Sequence, residues 1–175
     1  MFLIMLLFFV YPTNFALTAS ASGVPPMAVT LVMVGLDVVA FFVGLAFGWL
    51  MHNMRRQMKY VAPLFFLAGY AVLAFVDGMG GMIAGSLLIG LANGAGVPYV
   101  NTIASIKGGR DAAVTVMPLI SAALYLGQFL SPLVVTPLAD AIGGVRSPYI
   151  VATGLAILFL LQVFLTRRHH ALPPA

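Results

Sequence analysis

The sequence predicts an all-α integral membrane protein with six transmembrane helices. Only 7% of the 175 residues are charged, namely eight Lys or Arg and four acidic residues, whereas about a quarter are charged in a typical soluble domain. Hydrophobic residues make up 62% of the chain and the mean hydropathy is +1.11. A water-soluble globule with this composition has too few polar side chains to cover its apolar surface. Charged residues are absent from five stretches, at 1–36, 60–76, 78–106, 112–139 and 147–166.

The first charge-free stretch holds one crossing, a turn and the start of a second crossing, because about 20 apolar residues span the hydrocarbon. Residues 20–26, Ser-Ala-Ser-Gly-Val-Pro-Pro, favour the turn. We predict helix one at about 2–21 and helix two at about 26–51, since proline is favoured in a first helical turn. The apolar run 1–10 followed by Ala-Ser-Ala at 19–21 also resembles a secretory signal peptide, although no basic residue precedes it.

The other charge-free stretches predict four further helices, at about 60–77, 80–104, 112–139 and 147–166. These segments are continuously apolar. A transmembrane β-barrel instead predicts segments of about 10 residues with alternating polarity. We therefore predict one six-helix transmembrane domain that covers residues 1–175.

The basic residues predict the orientation of the chain in the membrane. One set lies between helices two and three, between helices four and five, and after helix six: His52, Arg55, Arg56, Lys59, Lys107, Arg110, Arg167, Arg168, His169 and His170. If both termini are cytoplasmic, only Arg146 departs from the positive-inside rule. This distribution accounts for the net charge of +4 without a nucleic-acid surface. We expect the lipid bilayer to be the plasma (cytoplasmic, or bacterial inner) membrane.

Polar side chains are concentrated in helices one, two, four and five, whereas helices three and six are nearly all apolar. Buried polar groups in membranes mark transport pathways or helix-packing seams. We therefore expect the first two helices of each half of a three-plus-three arrangement to face a cavity. The candidates for binding a small-molecule substrate there are Tyr11, Asn14, Phe15, Asn93, Tyr99, Asn101, Tyr125 and Gln128.

Asp37 lies near the middle of helix two, and therefore near the bilayer midplane. Insertion of an acid at this depth costs about 2.5–3.5 kcal/mol, and no Lys or Arg of this chain lies at a comparable depth. Such an acid favours its neutral form, which is the behaviour of a proton carrier. Two alternatives remain: contact with a cationic substrate, and a neutral acid hydrogen-bonded to a neighbouring helix.

Three pairs of glycines have the spacing G-x-x-x-G, which allows two helix backbones to approach closely. They are Gly44 with Gly48, Gly81 with Gly85, and Gly90 with Gly94. For all six glycines we predict a role in helix packing.

Three stretches resemble the C-terminal half of a major facilitator superfamily transporter, its helices seven to twelve. Residues 90–101, Gly-Leu-Ala-Asn-Gly-Ala-Gly-Val-Pro-Tyr-Val-Asn, are similar to the Gly-rich tenth helix of the family. Residues 127–132, Gly-Gln-Phe-Leu-Ser-Pro, are similar to the Gly-to-Pro run in its eleventh. The stretch 44–56 falls where the family repeats a degraded G-x-x-x-D-R-x-G-R-R loop. The match there is poor, because His52 replaces the acidic residue and Arg55 the second glycine.

The resemblance implies a 3+3 inverted repeat whose central cavity is lined by helices one, two, four and five. It implies a secondary transporter that moves a small solute by alternating access and needs no cofactor. The family has two six-helix halves, so we expect a missing N-terminal half, either upstream in the same gene, with Met1 an internal methionine, or on a separate chain. Aromatic and amide side chains without intramembrane Lys or Arg favour proton-coupled efflux of an amphipathic or weakly cationic compound.

Two other classes of function compete with this interpretation. A homo-oligomeric half-size transporter or a pore-forming channel needs no second gene product, but a pore predicts a continuous polar stripe along one helix, which the sequence does not reveal. A membrane enzyme needs converging nucleophilic, acidic or metal-binding groups. The chain has no Cys, three His near the predicted cytoplasmic face and scattered acids. We therefore expect neither a catalytic site nor a metal site.

Overall fold

The computed structural model describes residues 1–55, 57–109 and 112–166, and the regular secondary structure of this part is entirely helical. The helices are α1 (Phe2–Ala21), α2 (Pro26–Asn53), α3 (Met58–Phe75), α4 (Gly78–Gly108), α5 (Met117–Ile142) and α6 (Ser147–Leu165). All six are long enough and apolar enough to cross a membrane. This confirms the prediction of six apolar helices and is consistent with an integral membrane protein. The basic residues Arg56, Arg110, Arg167, Arg168, His169 and His170 lie outside the described residues.

The helix ends follow from local sequence. Pro26 begins α2. Proline lacks an N–H, but in the first turn of a helix an N–H would have no acceptor within the helix. Gly143 and Gly144 follow α5 with φ of +75° and +95°, a region of backbone conformation that side chains disfavour. The helix α4 extends beyond the predicted 80–104 at both ends, and α5 begins and ends later than the predicted 112–139. Lys107 is accommodated in the last turn of α4, where a cation is favourable. A short π-helical segment, Ala112–Val116, precedes α5.

The central helices of the bundle are α1 and α4. The most extensive contacts of α4 are with α3 and α2, while α1 packs along α5 and also contacts α2, α3, α4 and α6. A fourth strong pairing joins α3 to α6. The helices α2, α5 and α6 are the least buried of the six. Most of their surface therefore faces lipid or another protein.

Buried aromatic side chains from α1, α3 and α6 form the core. The ring of Tyr70 stacks on those of Phe66 and Tyr149, with centroids 6.3 Å apart in each pair. The Tyr70 hydroxyl donates a hydrogen bond to the carbonyl of Leu7, and so joins α3 to α1. This bond gives the polar tip of a fully buried tyrosine the partner that it needs.

Glycines allow α4 to approach α2 and α3 closely. A Cβ added at Gly90 would lie 2.6 Å from the carbonyl oxygen of Leu36, and one at Gly94 would lie 2.5 Å from that of Ala40. We name Gly90 and Gly94 the seam glycines. Gly81 and Gly85 are equally crowded, by Val76 and Leu73 respectively. A side chain at any of these positions would force the backbones apart.

Gly44 and Gly48 differ from these four glycines. A Cβ added at either position would meet no atom within 4 Å. The face of α2 that packs on α4 carries Val29, Val32 and Leu36 instead. The helix-packing role predicted for Gly44 and Gly48 is therefore not met within the described chain.

The two ends of the bundle differ in charge. The basic end carries Arg55, Lys59 and Lys107, and the opposite end carries Asp77, Asp140 and Arg146. At the opposite end, the Arg146 guanidinium lies 2.7 Å from the Asp77 carboxylate and donates a hydrogen bond to the carbonyl of Val76. This ion pair links the α3–α4 turn to the α5–α6 turn. Because Asp77 is 91% exposed, we expect the pair to contribute at most about 1 kcal/mol.

Candidate functional site

Asp37 and Asn93 lie beside the seam between α2 and α4, on the same side of it. Gly90 contacts the carbonyl of Leu36, and Gly94 contacts that of Ala40. Residue numbers therefore rise in the same direction along both helices, which run parallel. Asp37 directly follows Leu36, and Asn93 directly precedes the second seam glycine. Successive residues turn by about 100° around each helix axis. Asp37 is therefore rotated away from the seam in one sense around α2, and Asn93 in the opposite sense around α4. Because the two parallel helices face each other across the seam, these opposite rotations place both side chains on the same side of it.

The polar atoms of this pair lack hydrogen-bond partners within the described chain. The Oδ1 atom of Asn93 is buried and accepts no hydrogen bond there. Asp37 is exposed, forms no hydrogen bond with a described residue and lies within electrostatic range of Tyr11. The structural alternative for Asp37, a neutral acid bonded to a neighbouring helix, is thus not found in this part of the structure. We name Asp37 and Asn93 the seam pair.

Tyr11 and Phe15 are buried inside the bundle, although we expected them to line a cavity. Their rings stack with centroids 4.5 Å apart, and each residue is only 2% exposed. The Tyr11 hydroxyl forms a 2.7 Å hydrogen bond with Oγ of Ser86 on α4. The two aromatic rings therefore hold α1 against α4. The open face of α1 carries Thr13 and Ser20, both exposed, which the sequence analysis did not select.

Asn14 lines a cavity of about 300 Å³ at the opposite end of the bundle. This opposite-end cavity lies between α1, α5 and the start of α6, and Thr136 and Asp140 also line it. Asn14 donates a hydrogen bond to the carbonyl of Val10 within its own helix, at 2.9 Å. Its amide oxygen remains available to accept a hydrogen bond from a solute.

Tyr99 lines a separate cavity of about 370 Å³ at the basic end. This basic-end cavity lies between α1, α3, α4 and α6, and Lys59 and Gln162 also line it. Tyr99 therefore does not share a site with the seam pair. Asn101, two residues further along α4, is half-buried and forms no hydrogen bond with a described residue.

Tyr125 and Gln128 belong to a polar face of α5. Ser121 and Thr136 lie on the same face, because their spacing follows the helical repeat. Gln128 is half-buried and the other three residues are exposed. An adjacent face of α5 packs on α1, where a Cβ added at Gly127 would lie 2.5 Å from the carbonyl oxygen of Phe2. The polar face therefore borders the contact with α1, and Thr136 lines the opposite-end cavity between the two helices.

The candidate residues are thus divided among several places rather than gathered in one. The seam pair lies beside α1, the polar face of α5 is open, and Asn14 and Tyr99 line cavities at opposite ends of the bundle. Within the described residues no three His, Cys, Asp or Glu side chains come close enough to hold a metal ion. The chemistry available is hydrogen bonding by amides and hydroxyls, together with the carboxylates of Asp37 and Asp140 and the ammonium of Lys59.

Comparison with known proteins gives no relative. No family model, curated protein or solved structure matches the chain. The function must therefore be argued from the arrangement of the helices and their polar side chains.

Proposed function

We propose that the chain is a six-helix unit of a secondary transporter, built as a 3+3 inverted repeat. The observation that carries this proposal is the set of helix pairs. Exchanging the first three helices for the last three converts the α1–α5 pair into α4–α2, converts α3–α4 into α6–α1, and leaves α3–α6 unchanged; all of these pairs are in contact. Three helices per repeat also make α1 and α4 run in opposite directions, as inverted repeats require. The match is closest for α1–α5 with α4–α2, whereas the α3–α4 contact is much more extensive than its counterpart α6–α1. Among the described residues, α5–α6 and α1–α3 have no counterpart of similar extent between α2 and α3 or between α4 and α6.

This pairing, with the resemblance of residues 90–101 and 127–132, supports assignment to the C-terminal half of a major facilitator superfamily transporter. In such a transporter the solute site lies at the interface of two six-helix units. We propose that a second unit, from the same gene or from a separate chain, completes this one.

The exposed face of α2 supports a second unit. Asp37, Gly44 and Gly48 lie on one side of α2, because their separations of seven and four residues follow the helical repeat. A carboxylate directed at lipid is unfavourable, and glycines leave room for another helix backbone. A helix of the second unit that packs there satisfies both requirements.

The chemistry of the open polar groups indicates the class of solute. Away from their ends, the described spans present amides, hydroxyls, aromatic rings and the carboxylate of Asp37, with no Lys or Arg in the middle of a helix. These groups suit an amphipathic or weakly cationic compound better than an anion. Proton-coupled efflux by alternating access, with Asp37 as the proton carrier, accounts for the isolated acid. We place the basic end at the cytoplasmic face of the plasma membrane, following the positive-inside rule.

The test is transport by the complete transporter, meaning this chain together with its second unit. A fluorescent lipophilic cation such as ethidium is supplied outside vesicles that contain the transporter. Its accumulation inside the vesicles is driven by an imposed proton gradient. We expect Asp37→Asn to abolish gradient-driven accumulation and to spare downhill exchange, because an amide keeps the size of the acid but does not ionise. The matched control Asp77→Asn changes an exposed acid at the opposite end, outside both cavities, and should affect neither process.

The other readings of Asp37 give different results in this assay. If Asp37 binds the cation, the Asn variant should lose cations selectively and still move neutral solutes. Accumulation equal to that of the wild type would show that Asp37 carries no proton.

A homo-oligomeric pore is the second candidate, because the polar face of α5 is the kind of stripe that a pore needs. A pore predicts that the purified chain alone releases small solutes from liposomes, and that Gln128→Leu reduces the release. The transporter proposal predicts no release by the chain alone. Solute release that Gln128→Leu lowers would therefore replace the transporter proposal with the pore.

A further inference from the structure

The basic-end cavity combines an apolar interior with a few polar groups. Phe2, Phe159 and Val163 contribute apolar wall, and Lys59, Tyr99 and Gln162 contribute an ammonium, a hydroxyl and an amide. The polar groups come from three different helices, α3, α4 and α6. None of them is used by the transporter proposed above.

We propose that the basic-end cavity is a binding site for an anionic phospholipid. In this site an acyl chain lies along the apolar wall between α1 and α6, and the phosphate lies beside the ammonium of Lys59. Tyr99 and Gln162 donate hydrogen bonds to the oxygens of the headgroup. The inference requires only that the six helices span a bilayer, so it stands apart from the transport function.

The charge of the site favours an anionic ligand. Lys59 is the second residue of α3 and therefore lies where the helix meets the membrane surface. Its side chain is half-buried, with Nζ 5.0 Å from the centroid of the Tyr60 ring. Within residues 1–55, 57–109 and 112–166 the only ion pair joins Arg146 to Asp77 at the far end. Basic pockets between transmembrane helices bind anionic headgroups in this way.

The walls of the site favour a lipid over a soluble anion. A free phosphate needs only the polar groups, and an apolar wall offers it nothing. An acyl chain has the opposite requirement, because along this wall it keeps the apolar surroundings that it has in the bilayer. A phospholipid uses both parts of the cavity at once.

The experiment uses tryptophan fluorescence, because Trp49 is the only tryptophan in the chain. Trp49→Phe provides the background, Phe159→Trp places a reporter in the cavity, and Leu158→Trp places one on the adjacent exposed face. The full chain is reconstituted in vesicles with brominated phosphatidylglycerol or with phosphatidylcholine that carries the same chains. We expect phosphatidylglycerol to associate about fivefold more strongly at the Phe159→Trp reporter, the factor expected for one cation near an anionic lipid. The Leu158→Trp reporter should show equal association.

Matched variants identify the cation responsible. In the Phe159→Trp background, Lys59→Gln should remove the preference, while Lys107→Gln should keep it, because Lys107 is exposed and lies outside the cavity. Equal quenching by the two lipids at the cavity reporter would overturn the proposal, as would a preference that survives Lys59→Gln. Full competition by soluble glycerol phosphate would also overturn it, in favour of a soluble-anion site.

Native mass spectrometry of the unmodified chain provides a test that does not depend on correct folding of the tryptophan reporter variants. The wild type should retain phosphatidylglycerol more than phosphatidylcholine after release from detergent, and Lys59→Gln should retain the two equally. Equal retention by the wild type would contradict the lipid site without reliance on any tryptophan variant.

Discussion

Tyr70 is the buried residue whose hydroxyl joins α3 to α1. We expect Tyr70→Phe to destabilise the folded protein by about 0.6 kcal/mol and by no more than about 1.7 kcal/mol, the range of hydrogen bonds between membrane helices. The stacked ring is retained in this variant, so only the bond to the Leu7 carbonyl is lost. The measurement is unfolding in mixed micelles. Tyr125→Phe is the control, since Tyr125 is 67% exposed, and an equal loss there would contradict the assignment.

The sequence shows which helices carry polar residues but did not predict the side of each helix on which they lie. Tyr11 and Phe15 were expected at a cavity and are buried, whereas Thr13 and Ser20 are exposed. In a soluble helix, the apolar face identifies the core. In α1 nearly every face is apolar, so periodicity carries no such signal. Lipid and protein interior are equally suitable surroundings for Leu, Phe and Val.

For the helix pair α2 and α4, the close contact at the seam predicts that a larger residue at Gly94 destabilises the protein. Gly94→Ala places a methyl group against the Ala40 carbonyl, and we expect a loss of about 1–3 kcal/mol, as for other overpacked sites. Gly44→Ala is the control with the same chemistry on an open face, and its stability should change by less than about 0.5 kcal/mol. Both are measured by unfolding of the single chain. A similar loss in the two variants would show that helix flexibility, rather than the seam, sets the stability.

The spacing G-x-x-x-G does not identify the helix that packs against it. Gly44 with Gly48 and Gly90 with Gly94 have identical spacing, yet among the described residues only the second pair meets a helix. The motif indicates that a close approach is permitted, but the partner depends on which helices become neighbours. That choice depends on contacts between residues far apart in sequence, such as Gly94 with Ala40, which a single sequence does not encode in any local pattern.

For the whole molecule, the orientation in the membrane is the property that the charges predict and that labelling measures. In this Cys-free chain, Gln57→Cys and Lys107→Cys should react with an impermeant maleimide only from the cytoplasmic side. Val145→Cys should react only from outside. Val145 suits the test because its side chain is 55% exposed, whereas the neighbouring glycines have positive φ. Labelling of Gln57→Cys and Val145→Cys from the same side would contradict six crossings.

The number of helices was predictable because it depends only on composition along the chain. Charged residues interrupt the apolar stretches, and a span of about 20 residues fixes the count. The arrangement of the helices was not predictable from composition, because it depends on close fits such as the one at Gly94. The extension of α4 to Gly108 shows the same limit on a small scale. A lysine near a helix end does not stop a helix that reaches the membrane surface.

The glycine-rich nature of α4 also bears on how the protein is made. Of the six spans, α4 has the lowest hydropathy and the most extensive contacts. Each glycine that favours its packing lowers its tendency to leave the translocon for lipid, because insertion depends on apolar side chains. The ribosome delivers α2 and α3 first, and these are the two helices on which α4 packs most extensively. We therefore expect the insertion of α4 into the bilayer to depend on α2 and α3. Substitutions that disrupt either of these helices should appear during synthesis as failed insertion of α4.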